Sequence, residues 1–266
     1  MSIKDVMKKR RALSFEVFPP KTDVGMEKLT KEGGVLDELY ALKPDYISCT
    51  YGAGGSNVGR NLEVMKKIAG DGIAVPVTHF TCIGNTKESV TAQLQAYLEA
   101  GVDHMLALRG DLPLGQDGTG GDFHYATELV RFVKEEFGDQ FTVAVSGSPE
   151  GHIACRSLDA DISFLRQKQD LGADYIMTQL CWDMEQFKRW LDKIRSAGIT
   201  MPVDVGVMPV LDAAATINMA LSRNGCVIPR ELAELISRYW IFPNPFAPKE
   251  DEESIEAKKA AFREAG

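Results

Sequence analysis

Short runs of apolar, β-branched and aromatic residues recur along the chain. Each is followed by a longer stretch with apolar positions every three to four residues. The runs at 12–18, 45–50, 74–80, 104–108, 141–146, 175–179 and 203–208 predict strands. The stretches at 26–42, 61–69, 87–100, 125–137, 158–171, 185–197 and 211–222 predict helices. Several helices run into a glycine (Gly101, Gly172, Gly198), as a left-handed C-cap would. Regular alternation of strand and helix means βαβ units and a parallel sheet, and strands apolar nearly throughout fit burial on both faces. Seven such units predict a TIM-type (β/α)8 barrel, with an open doubly wound sheet as the alternative, and make residues 1–266 one barrel domain. The eighth strand is missing from the pattern. After a helical piece at 230–240 comes a Pro-rich insert at 241–248, whose three prolines impose extended or turned backbone. A charged, helix-prone tail occupies 249–266.

Composition narrows the function classes. The net charge of -8, from 30 basic and 38 acidic residues, argues against nucleic acid or an anionic membrane as partner. No apolar run approaches the roughly 18 residues of a membrane span. The charged residues 1–11 lead into the first strand with no signal-peptide core, so a cytoplasmic protein is expected. Five scattered cysteines without a CxxC pair speak against a disulfide framework or zinc knuckle. His79, His104, His124 and His152 show no metal-binding spacing, so no metal is expected; neither GxSxG nor a P-loop occurs.

Polar residues gather where strands end: Thr50-Tyr51-Gly52, His79 with Thr81 and Cys82, Arg109-Gly110-Asp111, Ser146 and Thr178-Gln179. In a parallel barrel those ends share one rim, where active sites are built, although any single such residue can be merely a strand terminator. Glu16 lies between Phe15, Val17 and Phe18. A carboxylate inside an apolar strand is paired, protonated or functional, and desolvation would make it a proton donor near neutral pH. The structural alternative is an ion pair with a Lys or Arg. Arg109 and Asp111 flank a glycine that lets backbone approach a flat ligand; the alternative is a self-paired turn. The stretch Gly52-Ala53-Gly54-Gly55-Ser56-Asn57 lacks the third glycine of a dinucleotide turn and reads as a phosphate-approach loop or a plain turn.

Five motifs together resemble the methylenetetrahydrofolate reductase family. They are Phe15-Glu16-Val17-Phe18-Pro19-Pro20, Thr50-Tyr51-Gly52-Ala53, His79-Phe80-Thr81-Cys82, the run from Ala107 through Arg109-Gly110-Asp111 to Pro113, and Thr178-Gln179. The resemblance covers about 12–240 and implies a β/α barrel that binds FAD at the strand C-termini, with NADH or NADPH as cosubstrate. It implies that Glu16 protonates the folate as its imidazolidine ring opens, that Asp111 lies near flavin and pterin, and that Gln179 contacts folate or nicotinamide. Thr50, Tyr51, Ala53, His79, Arg109, Gly110, Asp111, Tyr125, Ala126, His152, Asp161 and Lys168 match positions that hold FAD, with Lys168 and His152 toward its diphosphate or ribose. The implied reaction is ping-pong, giving 5-methyltetrahydrofolate from 5,10-methylenetetrahydrofolate. A homo-oligomer is expected, with a second subunit as the alternative. Departures from the family pattern are the absent closing strand, Phe164 and Gln167 where polar or basic residues are common, and Ser148 where an aromatic often sits. Competing readings are a flavin-free barrel lyase and a flavin- or folate-binding subunit that needs a partner for turnover.

Overall fold

A computed structural model describes residues 2–51, 58–111, 118–222, 225–239 and 252–265. Seven strands, β1 (Ser14–Val17), β2 (Tyr46–Cys49), β3 (Val75–Thr81), β4 (His104–Leu108), β5 (Thr142–Gly147), β6 (Tyr175–Thr178) and β7 (Val203–Asp204), form one sheet in sequence order. The registered pairs are parallel. Helices α1 (Ile3–Lys9), α2 (Asp23–Thr30), α3 (Val35–Ala41), α4 (Val58–Asp71), α5 (Lys87–Glu99) and α6 (Ala126–Glu136) lie in the first half of the chain. The second half carries α7 (Leu158–Asp170), α8 (Met184–Ser196), α9 (Ala213–Leu221), α10 (Arg230–Tyr239) and α11 (Glu252–Ala265). Among the described residues there is no eighth strand, and no helix is long and apolar enough to cross a membrane.

Side chains alternate across a strand, and the register assigns the two faces. Ser14, Glu16, Tyr46, Ser48, Val77, His79, Thr81, Leu106, Ala144 and Tyr175 share the concave face. Ile47, Cys49, Thr78, Phe80, Ala107, Val143 and Val145 share the other, buried under the helices. The sheet curls into a half-barrel. Ser14 Oγ on β1 donates to Asp204 Oδ2 on β7 at 3.0 Å, and Tyr46 Oη donates to the same oxygen, so strands at opposite ends of the order meet across the interior.

The N-terminal helix seals one end. Ile3, 1% exposed, packs with Tyr46, Val77, Leu106, Ala144 and Tyr175, and Met7 adds to the same cluster one turn later. Lys4 Nζ reaches Asp174 Oδ1 at 2.9 Å, while Lys134 Nζ of α6 holds Oδ2 of the same carboxylate at 2.9 Å. This helix was not expected, because its charges mask the i, i+4 pair Ile3 and Met7. The single helix expected at 26–42 is two. Gly33 adopts φ +68°, a left-handed residue that stops α2, and Gly34 then serves as N-cap of α3. The seventh strand covers two residues rather than the expected 203–208. Other helix starts follow the usual chemistry: Thr22, Thr86, Asp183 and Asp212 each accept a backbone N–H from the first turn.

The chain forms two compact units. The first comprises Met1–Ser146, Phe164–Met177 and Ile199–Asp204; the second comprises Gly147–Ser163, Thr178–Gly198 and Val205–Gly266. In the second unit Gly206 N donates to Thr178 Oγ1 at 2.9 Å and Gln186 Nε2 to the Pro149 carbonyl at 2.8 Å. There Glu150 accepts from the Val227 N–H at 2.9 Å.

Candidate active site

In the first unit, the C-terminal ends of β1 to β4 bring together Glu16, Thr50, Tyr51, His79, Thr81 and Arg109-Gly110-Asp111, because parallel strands all end on one rim. Glu16 is the penultimate residue of β1 and faces the concave side. Its side chain is 46% exposed, more open than a carboxylate within an apolar strand suggests, since the strand ends one residue later. Partial desolvation still raises its pKa above the ordinary carboxylate value. No Lys or Arg among the described residues pairs with it. Its neighbour is His79, whose Nε2 lies 3.4 Å from Glu16 Oε2. That nitrogen is buried and has no hydrogen-bond partner among the described residues, and burial lowers the imidazole pKa to about 4.

Two positions along β3, the Thr81 hydroxyl is likewise buried and unpartnered among the described residues. Gly110, with φ +91°, packs against the carbon side of Thr81; a Cβ there would fall 2.6 Å from Ile83 Cγ2 and 3.0 Å from Thr81 Cβ. Only glycine fits. Arg109 Nε donates to the Gly110 carbonyl at 3.1 Å, leaving the terminal guanidinium nitrogens without a hydrogen bond among the described residues. The self-paired Arg109–Asp111 turn is thus not formed, and Asp111 is exposed.

The supporting contacts explain how loop residues hold their places. The Cys82 N–H donates to Leu108 O and the Ile83 N–H to Arg109 O, at 3.1 and 2.9 Å, so β3 and β4 stay zipped past their ends. The Cys82 thiol sits 3.7 Å from Arg109 O and 3.9 Å from Tyr125 O, and burial pushes it up to about 12. It ties the β4 rim to the start of α6. Tyr125, 60% exposed, precedes Ala126, the first residue of that helix, and Glu128 caps it by accepting from the N–H groups of His124 and Tyr125. The β2 end is held from α4, where fully buried Asn61 donates to Cys49 O and Thr50 O, each at 3.0 Å. Its Oδ1 accepts from Thr78 Oγ1 at 2.9 Å and from Tyr97 Oη at 2.7 Å. Tyr51 is buried with its hydroxyl bonded to Gln93 and its ring 5.3 Å from Phe80, so it contributes a fixed wall. Asn61 and Gln93 were not anticipated, and Cys82 was expected at the strand end without its tie to α6; their partners are backbone atoms and side chains of other elements, for which sequence carries no local signal.

Lys168 is half-buried on the part of α7 that belongs to the first unit. In the second unit the exposed His152 donates its backbone N–H to Asp161 Oδ2 at 3.2 Å, and its Nδ1 accepts from the Ala154 N–H. Gln179, the residue after β6, donates its N–H to Gly147 O at 2.8 Å and accepts on Oε1 from the Leu180 N–H at 2.9 Å. Ala53 and the glycine-rich stretch around it lie outside the described residues, as does the Pro-rich stretch.

An isoalloxazine ring with its phosphates asks for donors to ring carbonyls and phosphate, an uncrowded backbone edge and an aromatic or apolar wall. The rim of the first unit offers the Arg109 guanidinium, the Thr81 hydroxyl, the side-chain-free Gly110 and the Tyr125 ring. The donor set fits the group.

The profile of the family described as methylenetetrahydrofolate reductase matches residues 2–241. A Pectobacterium carotovorum protein named 5,10-methylenetetrahydrofolate reductase is 37% identical over 198 residues, covering 74% of this chain and 64% of its own length. Methylenetetrahydrofolate reductase 1 of Schizosaccharomyces pombe is 35% identical over 206 residues, covering 76% and 34%. Methylenetetrahydrofolate reductase (NADH) 1 of Zea mays is 35% identical over 213 residues, covering 76% and 35%. The chain thus spans about a third of the fungal and plant relatives and under two thirds of the bacterial one. A solved Clostridium thermocellum protein, described as uncharacterized and binding two copies of 5-methyl-5,6,7,8-tetrahydrofolic acid, superposes with a TM-score of 0.62 at 13% identity. The alignment covers 98% of this chain and 84% of that one, a likeness of fold. On the match across 2–241 and relatives above 30% identity, the chain belongs to the methylenetetrahydrofolate reductase family.

Proposed function

We propose that this chain reduces 5,10-methylenetetrahydrofolate to 5-methyltetrahydrofolate, with FAD as redox carrier and NADH or NADPH as electron donor. Family membership supports the reaction class, and one observation carries the chemistry: Glu16 is a carboxyl with a raised pKa, beside an imidazole and without a Lys or Arg partner among the described residues. Ring opening requires a proton donor, since the imidazolidine nitrogen becomes a leaving group only once it takes a proton, and a raised carboxyl pKa suits Glu16 to that role. FAD, when bound, supplies the hydride for the exposed one-carbon unit.

The chain's own residues bind, orient and donate a proton. Arg109 addresses the ring carbonyls or phosphates, Gly110 lets a flat ligand approach its backbone, and Thr50, Tyr51, His79, Tyr125, Ala126 and Lys168 complete the cofactor set. Asp111 orients the pterin. The resemblance alone assigns Gln179 to folate or nicotinamide, His152 and Asp161 to the cofactor, and Ala53 to its loop. The name of the maize relative favours NADH.

Anaerobic flavin spectroscopy tests the reading. The purified protein should carry visible flavin absorbance that NADH or NADPH bleaches and methylenetetrahydrofolate restores. A protein that binds no flavin, or whose reduced flavin ignores the folate, overturns it.

A further inference from the structure

The contact between Glu16 Oε2 and His79 Nε2 joins an acid and a base at 3.4 Å, and one proton between them has two places to sit. Carboxylate with imidazolium is the ordinary order in water, where imidazole holds a proton about two pH units more tightly than a carboxyl. Neutral acid with neutral imidazole is the alternative. Surroundings decide between them. The ring of His79 is buried, and its Nε2 has no hydrogen-bond partner among the described residues. Burial disfavours an imidazolium and partial burial disfavours the Glu16 carboxylate, so both shifts push the proton toward the neutral pair. The titratable groups shown to feel Glu16 are His79 from β3, in contact with it, and the Cys49 thiol on the opposite face of β2, which burial and the charge of Glu16 push up to about 12. Neither supplies a cation, and no Lys or Arg among the described residues reaches the carboxyl.

The geometry points to His79 as a positioning residue for the Glu16 acid: its uncharged ring accepts from the Glu16 hydroxyl through Nε2 and keeps the proton on the carboxyl until substrate takes it. This rests on the folate-reducing reading and adds a role for a residue that reading gives only to the cofactor. The proton count is simple. The Glu16 O–H bond breaks, an N–H bond forms on the folate, Glu16 becomes a carboxylate and His79 stays neutral. Glu16 then regains a proton from water through its open side.

The test is a single-turnover pH profile of the folate half-reaction with pre-reduced holoenzyme, normalised to bound flavin. In His79→Ala the alkaline limb should move to lower pH by about one unit, a tenfold loss on that side. His79→Gln, which keeps an acceptor and excludes water, should move it less. A role in flavin binding alone would lower flavin content and leave the normalised profile in place, and that result overturns the proposal. A readout independent of turnover is the infrared carbonyl band of protonated Glu16, identified by its loss in Glu16→Gln and titrated in wild type and His79 variants. If that titration shifts in the variants while even wild type reduces no folate, the functional reading fails and the pairing stands. If His79→Ala does not fold, 15N spectra of the wild-type imidazole decide: a neutral ring with Nε2 accepting a hydrogen bond at neutral pH supports the proposal, and an imidazolium overturns it.

Discussion

The two ends of the strands in the first unit treat carboxylates in opposite ways. At the N-terminal ends each aspartate is met by a positive or hydrogen-bonding partner. Asp45 before β2 takes Arg10 and the Leu13 N–H, Asp103 before β4 takes His104 Nδ1, and Asp174 before β6 takes Lys4, Lys134 and the Val143 N–H. All three pKa values fall. For Asp174 burial pushes upward, but the Val143 N–H and the two lysines outweigh it. At the C-terminal ends Glu16 meets, among the described residues, a buried imidazole whose pKa is lowered and no cation, and its own pKa rises. Carboxylates are neutralised at the end that α1 seals, whereas Glu16 at the other end has no cationic partner among the described residues. On the proposed function, stability and chemistry divide along the length of the same strands.

Perturbing each end should separate these roles. Glu16→Gln removes the proton and little packing; folate reduction should fall by about 10²–10⁴-fold while flavin reduction by NAD(P)H persists, read by stopped-flow absorbance of the two half-reactions. Equal loss in both would break the contrast by making Glu16 structural. Ile3→Ala acts at the sealed end, where a cavity under Tyr46 and Tyr175 should cost about 2–5 kcal/mol in urea unfolding and leave bound-flavin spectra unchanged. Asp174→Asn should cost about 1.5–3 kcal/mol near neutral pH by weakening charge-assisted bonds. The sign follows from the lowered folded pKa. The contribution is present above the ordinary carboxylate range and is lost as pH falls through the depressed folded value, so wild type and variant should converge in acid unfolding. Gly110→Ala places a methyl group against Ile83 and Thr81 at a left-handed φ, with an expected cost of about 1–3 kcal/mol and weaker flavin retention, read by melting and by flavin release on dilution.

The seven strands were legible because their signal is local: apolar runs of the right length, spaced by helices. The expected single helix at 26–42 is the exception, since apolar spacing carries across the adjacent Gly33 and Gly34 that break it. Helix α1 was not legible either, because its apolar pair has meaning only once five strand-borne side chains wait for it. A regularity also went unread: Asp45-Tyr46, Asp103-His104 and Asp174-Tyr175 each open a strand with an acid. At the site, the clustering of Glu16, His79 and Arg109-Gly110-Asp111 followed from strand order. The openness of Glu16, the unformed Arg109–Asp111 pair and the Asn61 clamp did not, since each depends on where another element stops or which carbonyl it presents.

The β3–β4 ladder has a consequence for hydrogen exchange. It runs in register from Val77 opposite His104 to Thr81 opposite Leu108, then continues through the Cys82 and Ile83 amides. Amides bonded this continuously exchange only when the whole unit opens. Deuterium uptake at 79–83 therefore gauges global unfolding, although these residues border the Glu16 carboxyl. A ligand seated there should slow exchange at those amides by the full factor of its binding free energy, so affinity could be read without any enzymatic assay.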